Sequence, residues 1–243
     1  MIRIPILSPH RREPFPPAQT ALRDPDGLLA AGGDLSPERL LDAYAHGIFP
    51  WFSDGEPILW WSPDPRMVFA TGAMHVPQRL RRWLRGCRWT ISADTAFAEV
   101  MQACAAPREG QPGTWIGPAM LDAYVALHER GHAHSVEVRD GDTLVGGIYG
   151  VAVGRMFFGE SMFSRASGGS KVALLALARA LDGWSWPLLD AQVRSAHLVT
   201  LGARALPRTQ FLAQVRRLAG ETGRIGAWTA AFPPLAPPQL AGR

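Results

Sequence analysis

The stretch from residue 134 to 182 does most to limit the fold. Two strand-like runs, 134–139 and 143–152, flank Asp140-Gly141, a dipeptide that favours a tight hairpin because both residues tolerate positive φ. Val153-Gly154 turns the chain again into a third strand-like run over 155–159, and an apolar helical pattern fills 170–182. A short buried-looking strand follows at 188–193. Consecutive hairpins, then a helix, then one more strand predict an α+β domain rather than a doubly wound parallel sheet.

The flanking sequence gives the organisation. The first 64 residues are rich in Pro, Gly and Trp. Ser36-Pro37 reads as a cap and first turn of a helix that ends at Gly47. Trp60-Trp61-Ser62-Pro63-Asp64-Pro65 reads as the end of an extended piece and a turn. Its two prolines set a boundary between a small N-terminal domain, 1–64, and a larger one, 65–243. Residues 77–85 read as a helix and 88–92 as a strand. Asp94 is expected to cap a helix running to Cys104, and a further helix over 118–130 is stopped by Gly131. Helices are expected near 195–201 and 207–219, and a proline-rich tail is expected to be irregular.

Composition enters where it excludes something. Hydrophobic residues at 47% and charged residues at 19% leave ample apolar surface for a core. No run approaches the ~20 apolar residues that span a bilayer, so no membrane partner is expected. The N-terminus lacks a secretory pattern. The two cysteines, Cys87 and Cys104, make no framework and no Cys-x-x-Cys pair, which suits a reducing cytoplasm. A monomer is expected. Lys171 is the only lysine, so the basic charge is nearly all Arg, and its clustering matters more than its total. Arg79, Arg81, Arg82, Arg85 and Arg88 follow one another without an intervening acid, with Leu80, Trp83 and Leu84 as the apolar side. Such a face suits the phosphates of a nucleic acid.

Six segments go beyond generic signals. They are Gly27-Leu28-Leu29-Ala30-Ala31-Gly32-Gly33-Asp34-Leu35-Ser36; Gly47-Ile48-Phe49-Pro50-Trp51-Phe52; Ile58-Leu59-Trp60-Trp61-Ser62-Pro63-Asp64-Pro65-Arg66; Gly113-Thr114-Trp115-Ile116; Gly131-His132-Ala133-His134-Ser135-Val136-Glu137; and Gly159-Glu160-Ser161-Met162-Phe163-Ser164. In this order and spacing they closely resemble the bacterial leucyl/phenylalanyl-tRNA–protein transferase family over roughly residues 13–215. The resemblance implies a small N-terminal domain and a C-terminal domain of the GNAT acyltransferase type. It implies aminoacyl-tRNA as donor and, as acceptor, the α-amine of a protein that begins with Arg or Lys. The added Leu or Phe, with Met a third option, marks the acceptor for degradation. No metal or organic cofactor is implied.

The family's catalytic pair falls on Asp190 and Gln192, which strand alternation would put on one face. Apolar neighbours are expected to raise the carboxyl pKa of Asp190. Even so, a free Asp near ~3.9 lies about four units below an α-amine near ~7.7–8.0. Asp190 is therefore read as an orienting, charge-stabilising partner rather than a strong base. Glu160, placed where a strand gives way to a loop, is a third candidate; it would orient Gln192 or meet the acceptor's positive side chain. Carried over by position, the donor side chain would be lined by Ile148, Phe157, Met162, Leu174, Leu177 and Leu189. The family pattern has Met and Phe where this chain has Ile148 and Leu177, a departure that bears on donor preference. Trp51, Trp115 and Tyr124 are the aromatic candidates for the 3′-terminal adenosine, because stacking is sequence-tolerant.

Two rival readings remain open. Arg165-Ala166-Ser167-Gly168-Gly169-Ser170 nearly matches the Arg/Gln-x-x-Gly-x-Gly/Ala loop that cradles a pyrophosphate, but ends in Ser. It would suit an acyl-CoA-dependent N-acetyltransferase, which leaves the Trp-rich N-terminal region without a role. A non-catalytic tRNA-binding module would leave the carboxylates without one. His132 and His134 lack a third ligand for zinc. Gly146-Gly147 inside a strand points to a bulge or to the close approach of a ligand backbone.

Overall fold

The structure, a computed structural model, describes residues 4–11, 13–107 and 115–242. Gly113 and Thr114 of the fourth segment above lie outside the described residues. The N-terminal part contains β1 (Ile6–Leu7), β2 (Leu28–Gly32), α1 (Pro37–Ala45), β3 (Phe49–Pro50) and β4 (Leu59–Trp61). Its strands form a sheet in the order β1-β2-β4-β3. Helix α1 starts as its sequence dictates: Ser36 Oγ accepts the Arg39 N–H at 3.4 Å and Pro37 occupies the first turn. It stops at Gly47, whose φ of +72° a side chain would resist.

The remainder runs β5 (Arg66–Ala70), α2 (Gln78–Leu84), β6 (Thr90–Ala93), α3 (Phe97–Ala105), α4 (Pro118–Glu129), β7 (Ala133–Asp140), β8 (Thr143–Val153), β9 (Met156–Ser164), α5 (Gly169–Gly183), β10 (Leu188–Gln192), α6 (Ala196–Thr200), β11 (Arg204–Leu206), α7 (Arg208–Ala219) and α8 (Pro237–Leu240). Seven strands make one sheet in the order β11-β5-β10-β9-β8-β7-β6. All neighbours are antiparallel except β9 and β10, which α5 joins as a crossover. The mixed α+β architecture is the one the hairpin pattern predicts. Phe158 and Asp190 are the last residues that β9 and β10 pair. Beyond them β9 continues for six residues to Ser164 while β10 ends at Gln192, so the parallel strands part and leave a gap.

Apolar cores fill both faces of this sheet. Tyr44, Phe97, Tyr124, Phe158 and Phe211 belong to one core, which continues into the N-terminal sheet through Phe49 and Trp60. On the other face α5 packs with Phe69, Phe157, Trp186 and Trp228. Helix α5 can lie close because Gly146 of β8 meets it without a side chain: a Cβ there would sit 2.4 Å from the Gly169 Cα. Both alternatives expected at Gly146-Gly147 are therefore present in part: the protein's own helix makes the close approach at Gly146, Gly147 faces Val100 and Phe163, and the β7–β8 register breaks beside them at Val145.

Three local expectations change. Asp94 does not cap α3, whose N-cap is Ala96. Asp94 has φ +57°, and its carboxylate accepts the Ser135 and Trp228 N–H groups and pairs with His134 at 2.8 Å. Long-range partners outcompete the local cap. Glu160 lies inside β9, not at its end. The tail is partly ordered: Pro237 and Pro238 open α8, where missing N–H groups cost nothing, and Trp228, Phe232 and Leu240 are buried.

Candidate active site

The gap between β9 and β10 is a cavity of about 190 Å³. Phe69, Ile148, Met162, Leu174 and Leu189 give it an apolar wall, and Glu160, Asp190 and Gln192 stand among its lining. Its size suits one side chain, since a dry apolar cavity of ~150 Å³ already accepts benzene. Four of the six expected lining residues are in place. Phe157 and Leu177 are not on the wall; they are buried in the core behind it. Leu177 therefore acts on the cavity only through its neighbours.

Asp190 is fully buried and bound at both oxygens. Arg66 of β5, equally buried, donates from Nε to Oδ1 at 2.9 Å and from Nη2 to Oδ2 at 2.6 Å. Its Nη1 donates to the Gly47 carbonyl at 3.0 Å, and its guanidinium lies between the Phe49 and Phe211 rings at 4.7 and 4.6 Å. A bidentate, charge-assisted pair of this kind offsets the cost of burying a carboxylate. The Gln192 N–H also donates to Asp190 Oδ1, at 2.9 Å. This turn puts Gln192 at φ +60° with a register break against β5. Asp190 and Gln192 are thus related by a bulge, not by simple strand alternation.

A second bulge presents Glu160. Tyr149 pairs with Ser161 and Gly150 with Gly159, so Glu160 is the extra residue in β9. Its Oε1 accepts from Gln192 Nε2 at 2.7 Å, and its Oε2 accepts from the Tyr124 hydroxyl at 3.1 Å. The Tyr44 hydroxyl of α1 bonds that of Tyr124 in turn. Burial pushes the Glu160 pKa up to about 7, and the Asp190 charge adds to this; the tyrosine hydroxyls and Arg66 oppose it. Burial, then the Glu160 charge, holds the Tyr44 and Tyr124 hydroxyls well above their ordinary pKa, so both remain neutral.

A profile described as leucyl/phenylalanyl-tRNA protein transferase matches residues 68–216, and one for the N-terminal domain of the same enzymes matches residues 33–64. The chain belongs to this family. A leucyl/phenylalanyl-tRNA–protein transferase of Xanthomonas campestris pv. campestris is 65% identical over 225 residues, covering 92% of this chain and 90% of the relative. One from Xylella fastidiosa is 59% identical over 228 residues, covering 93% and 94%. The structure of L-PGS from Bacillus licheniformis overlaps at TM-score 0.40 and 10% identity, over 80% of this chain and 73% of that one. That likeness is too low to carry an argument.

The remaining residues predicted from the sequence fall into two groups. Trp51 is 44% exposed beside Trp61, with ring centroids 5.7 Å apart, and Trp115 is half-buried. Tyr124 is fully buried, edge-on to Tyr149. It has no open face for a base, and its hydroxyl serves Glu160 instead. On α2, Leu80 and Leu84 turn inward while Arg79, Arg82 and Arg85 are exposed, as is Arg88 beyond it; Arg81 is half-buried. Trp83, read as part of the inner side, is 39% exposed and stands edge-on to Trp89. Arg66 and Tyr44 were not singled out from the sequence. A buried strand Asp demands a cation, so Arg66 was findable in the third segment; nothing local marks Tyr44.

Proposed function

We propose that this protein transfers Leu or Phe, and Met as a third donor, from aminoacyl-tRNA to the α-amine of proteins that begin with Arg or Lys. One observation carries the reading: an apolar cavity sized for a single side chain has a carboxyl with a pKa of about 7 at its lining. The donor side chain fills the cavity against Ile148, Met162, Leu174 and Leu189. The ester carbonyl then stands beside Gln192 and Glu160. The acceptor ammonium first loses a proton to the Glu160 carboxylate. The free amine attacks the carbonyl, forming the C–N bond. Breaking the C–O bond releases the ribose oxygen, which takes up the second N–H proton. A base near pH 7 is well matched to an amine near ~7.7–8.0. Asp190, with both oxygens held by Arg66, sets the Gln192 backbone; Gln192 fixes the Glu160 carboxyl. The exposed Trp51 and half-buried Trp115 would take the terminal adenosine, and Arg79, Arg81, Arg82, Arg85 and Arg88 the tRNA phosphates.

We read the larger domain, from residue 65, as GNAT-like, supported by two parallel strands parting around the cavity. On this reading the enzyme works in the cytoplasm as a monomer, and its product is directed to degradation. Labelled leucyl-tRNA mixed with an N-terminal-Arg peptide tests the reading, with acetyl-CoA as the rival donor. Label must reach the peptide from tRNA; transfer from acetyl-CoA alone would support an N-acetyltransferase, and tRNA binding without transfer a binding module.

A further inference from the structure

The aminoacyl cavity is not closed at its far side. Met162, Ser195 and Leu198 are shared with a second, open trough of about 590 Å³ that runs along β9 past the point where β10 leaves it. Among the described residues, the ionisable side chains on its wall are Arg165 and His197, and Ser164 and Ser170 add hydroxyls; burial and then Lys171 lower the His197 pKa, so Arg165 carries the charge at neutral pH. Lys171 stands close enough to His197 for its charge to act there. Among the described residues, one carboxylate touches this set: Glu99 approaches Arg165 Nη1 at 3.8 Å but is bonded to Arg139 at 2.9 Å. The trough also adjoins the basic helix α2. A Cβ at Gly168 would lie 3.6 Å from the exposed Trp83 ring, so α2 abuts the loop that carries Arg165. Helix α2 and the trough thus meet at the 165–168 loop, and the trough opens into the aminoacyl cavity through Met162, Ser195 and Leu198.

We infer that the trough around Arg165, Lys171 and His197 holds the phosphodiester groups just 5′ of the aminoacylated nucleotide. Its charge fits a polyanion entering the shared Met162–Leu198 opening. The same charge repels an acceptor, which brings a cationic amine and an Arg or Lys side chain. The inference rests on the aminoacyl-tRNA reading above and adds a place for the single-stranded end between the stem contacts and the ester.

The test compares two donors with one acceptor peptide: leucyl-tRNA and 3′-O-leucyl-adenosine, which lacks every phosphate. Arg165→Gln and Lys171→Gln should each lower kcat/KM for leucyl-tRNA on the order of tenfold, and His197→Gln by less. Losses with leucyl-adenosine should stay within about twofold, since no charge-assisted contact is removed. Arg165→Gln and Lys171→Gln should each flatten the salt dependence of leucyl-tRNA use by about one unit of slope; His197→Gln should leave the slope at neutral pH near wild type, because burial and then Lys171 lower the His197 pKa. Arg165→Lys should recover most of the loss, which misfolding would not allow. Equal losses on both donors, no loss on either, or a raised KM for the acceptor with donor use intact would overturn the assignment. Wild-type protein that fails to use leucyl-tRNA at all would sink the parent reading instead, an outcome visible before any variant is made.

Discussion

The two carboxylates beside the aminoacyl cavity sit in opposite surroundings. Asp190 is bound at both oxygens by a buried guanidinium that is itself wedged between two phenyl rings. Glu160, on the neighbouring strand, is held by an amide and by tyrosine hydroxyls. The first arrangement satisfies the charge with three hydrogen bonds, two on Oδ1 and one on Oδ2. The second leaves the charge costly, so the group changes protonation near neutral pH. On the proposed reading, environment divides the labour: one acid would hold the strand ends in place, the other would exchange a proton.

The largest effect should come from breaking the Asp190 side. Arg66→Ala leaves a buried carboxylate without its cation and should cost about 3–5 kcal/mol. Thermal unfolding should show a Tm lower by roughly 10 °C; an unchanged Tm would mean the pair is not holding the fold. Glu160→Gln attacks the other side. It should lower turnover on the order of 10²-fold while leaving leucyl-tRNA binding near wild type, measured by single-turnover kinetics and filter binding. A matching loss in binding would argue against a proton-transfer role.

Stability against pH sharpens the contrast further. Glu160 has a folded pKa raised from 4.5 to about 7, so the folded state binds the extra proton between these values. Its contribution is fully present below pH ~4.5 and is lost as pH rises through about 7. Wild-type Tm should fall over that window relative to Glu160→Gln, and parallel curves would contradict the assigned environment. The smallest effect is expected from Tyr124→Phe, which deletes a hydrogen bond that favours the ionised form. The Glu160 midpoint should move to higher pH in the rate profile; a shift to lower pH would reverse the assigned role of that hydroxyl.

Much of this molecule was legible in the sequence. Ser36-Pro37, Asp140-Gly141 and the apolar run that became α5 each carry a local physical signal and each produced its element, although the hairpin turns one residue later, at Gly141-Asp142, with Asp140 paired to Thr143. Local signals failed where distant partners decided. Asp94 reads as a cap, yet it is taken by Ser135, His134 and Trp228 from elsewhere in the chain. Tyr124 reads as a stacking platform, but its burial against Tyr44 depends on how α1 meets α4. Bulges at Glu160 and Gln192 leave no mark in a period-two pattern, so the alternation argument gave the right neighbourhood for the wrong geometric reason. The aliphatic cavity wall was found by family position, and Phe157 and Leu177 show the limit of that route: position does not say which side of a core a residue faces.

The central claim is that Glu160 takes the acceptor's proton at the mouth of the aminoacyl cavity. The pH dependence of single-turnover leucyl transfer, measured for wild type and Glu160→Gln with the same peptide, tests it most directly. The account predicts a wild-type rate that climbs through a limb near pH 7. In the variant that limb should vanish, leaving only the acceptor amine's own ionisation near ~8. Superimposable profiles, differing by a constant factor or not at all, would contradict it.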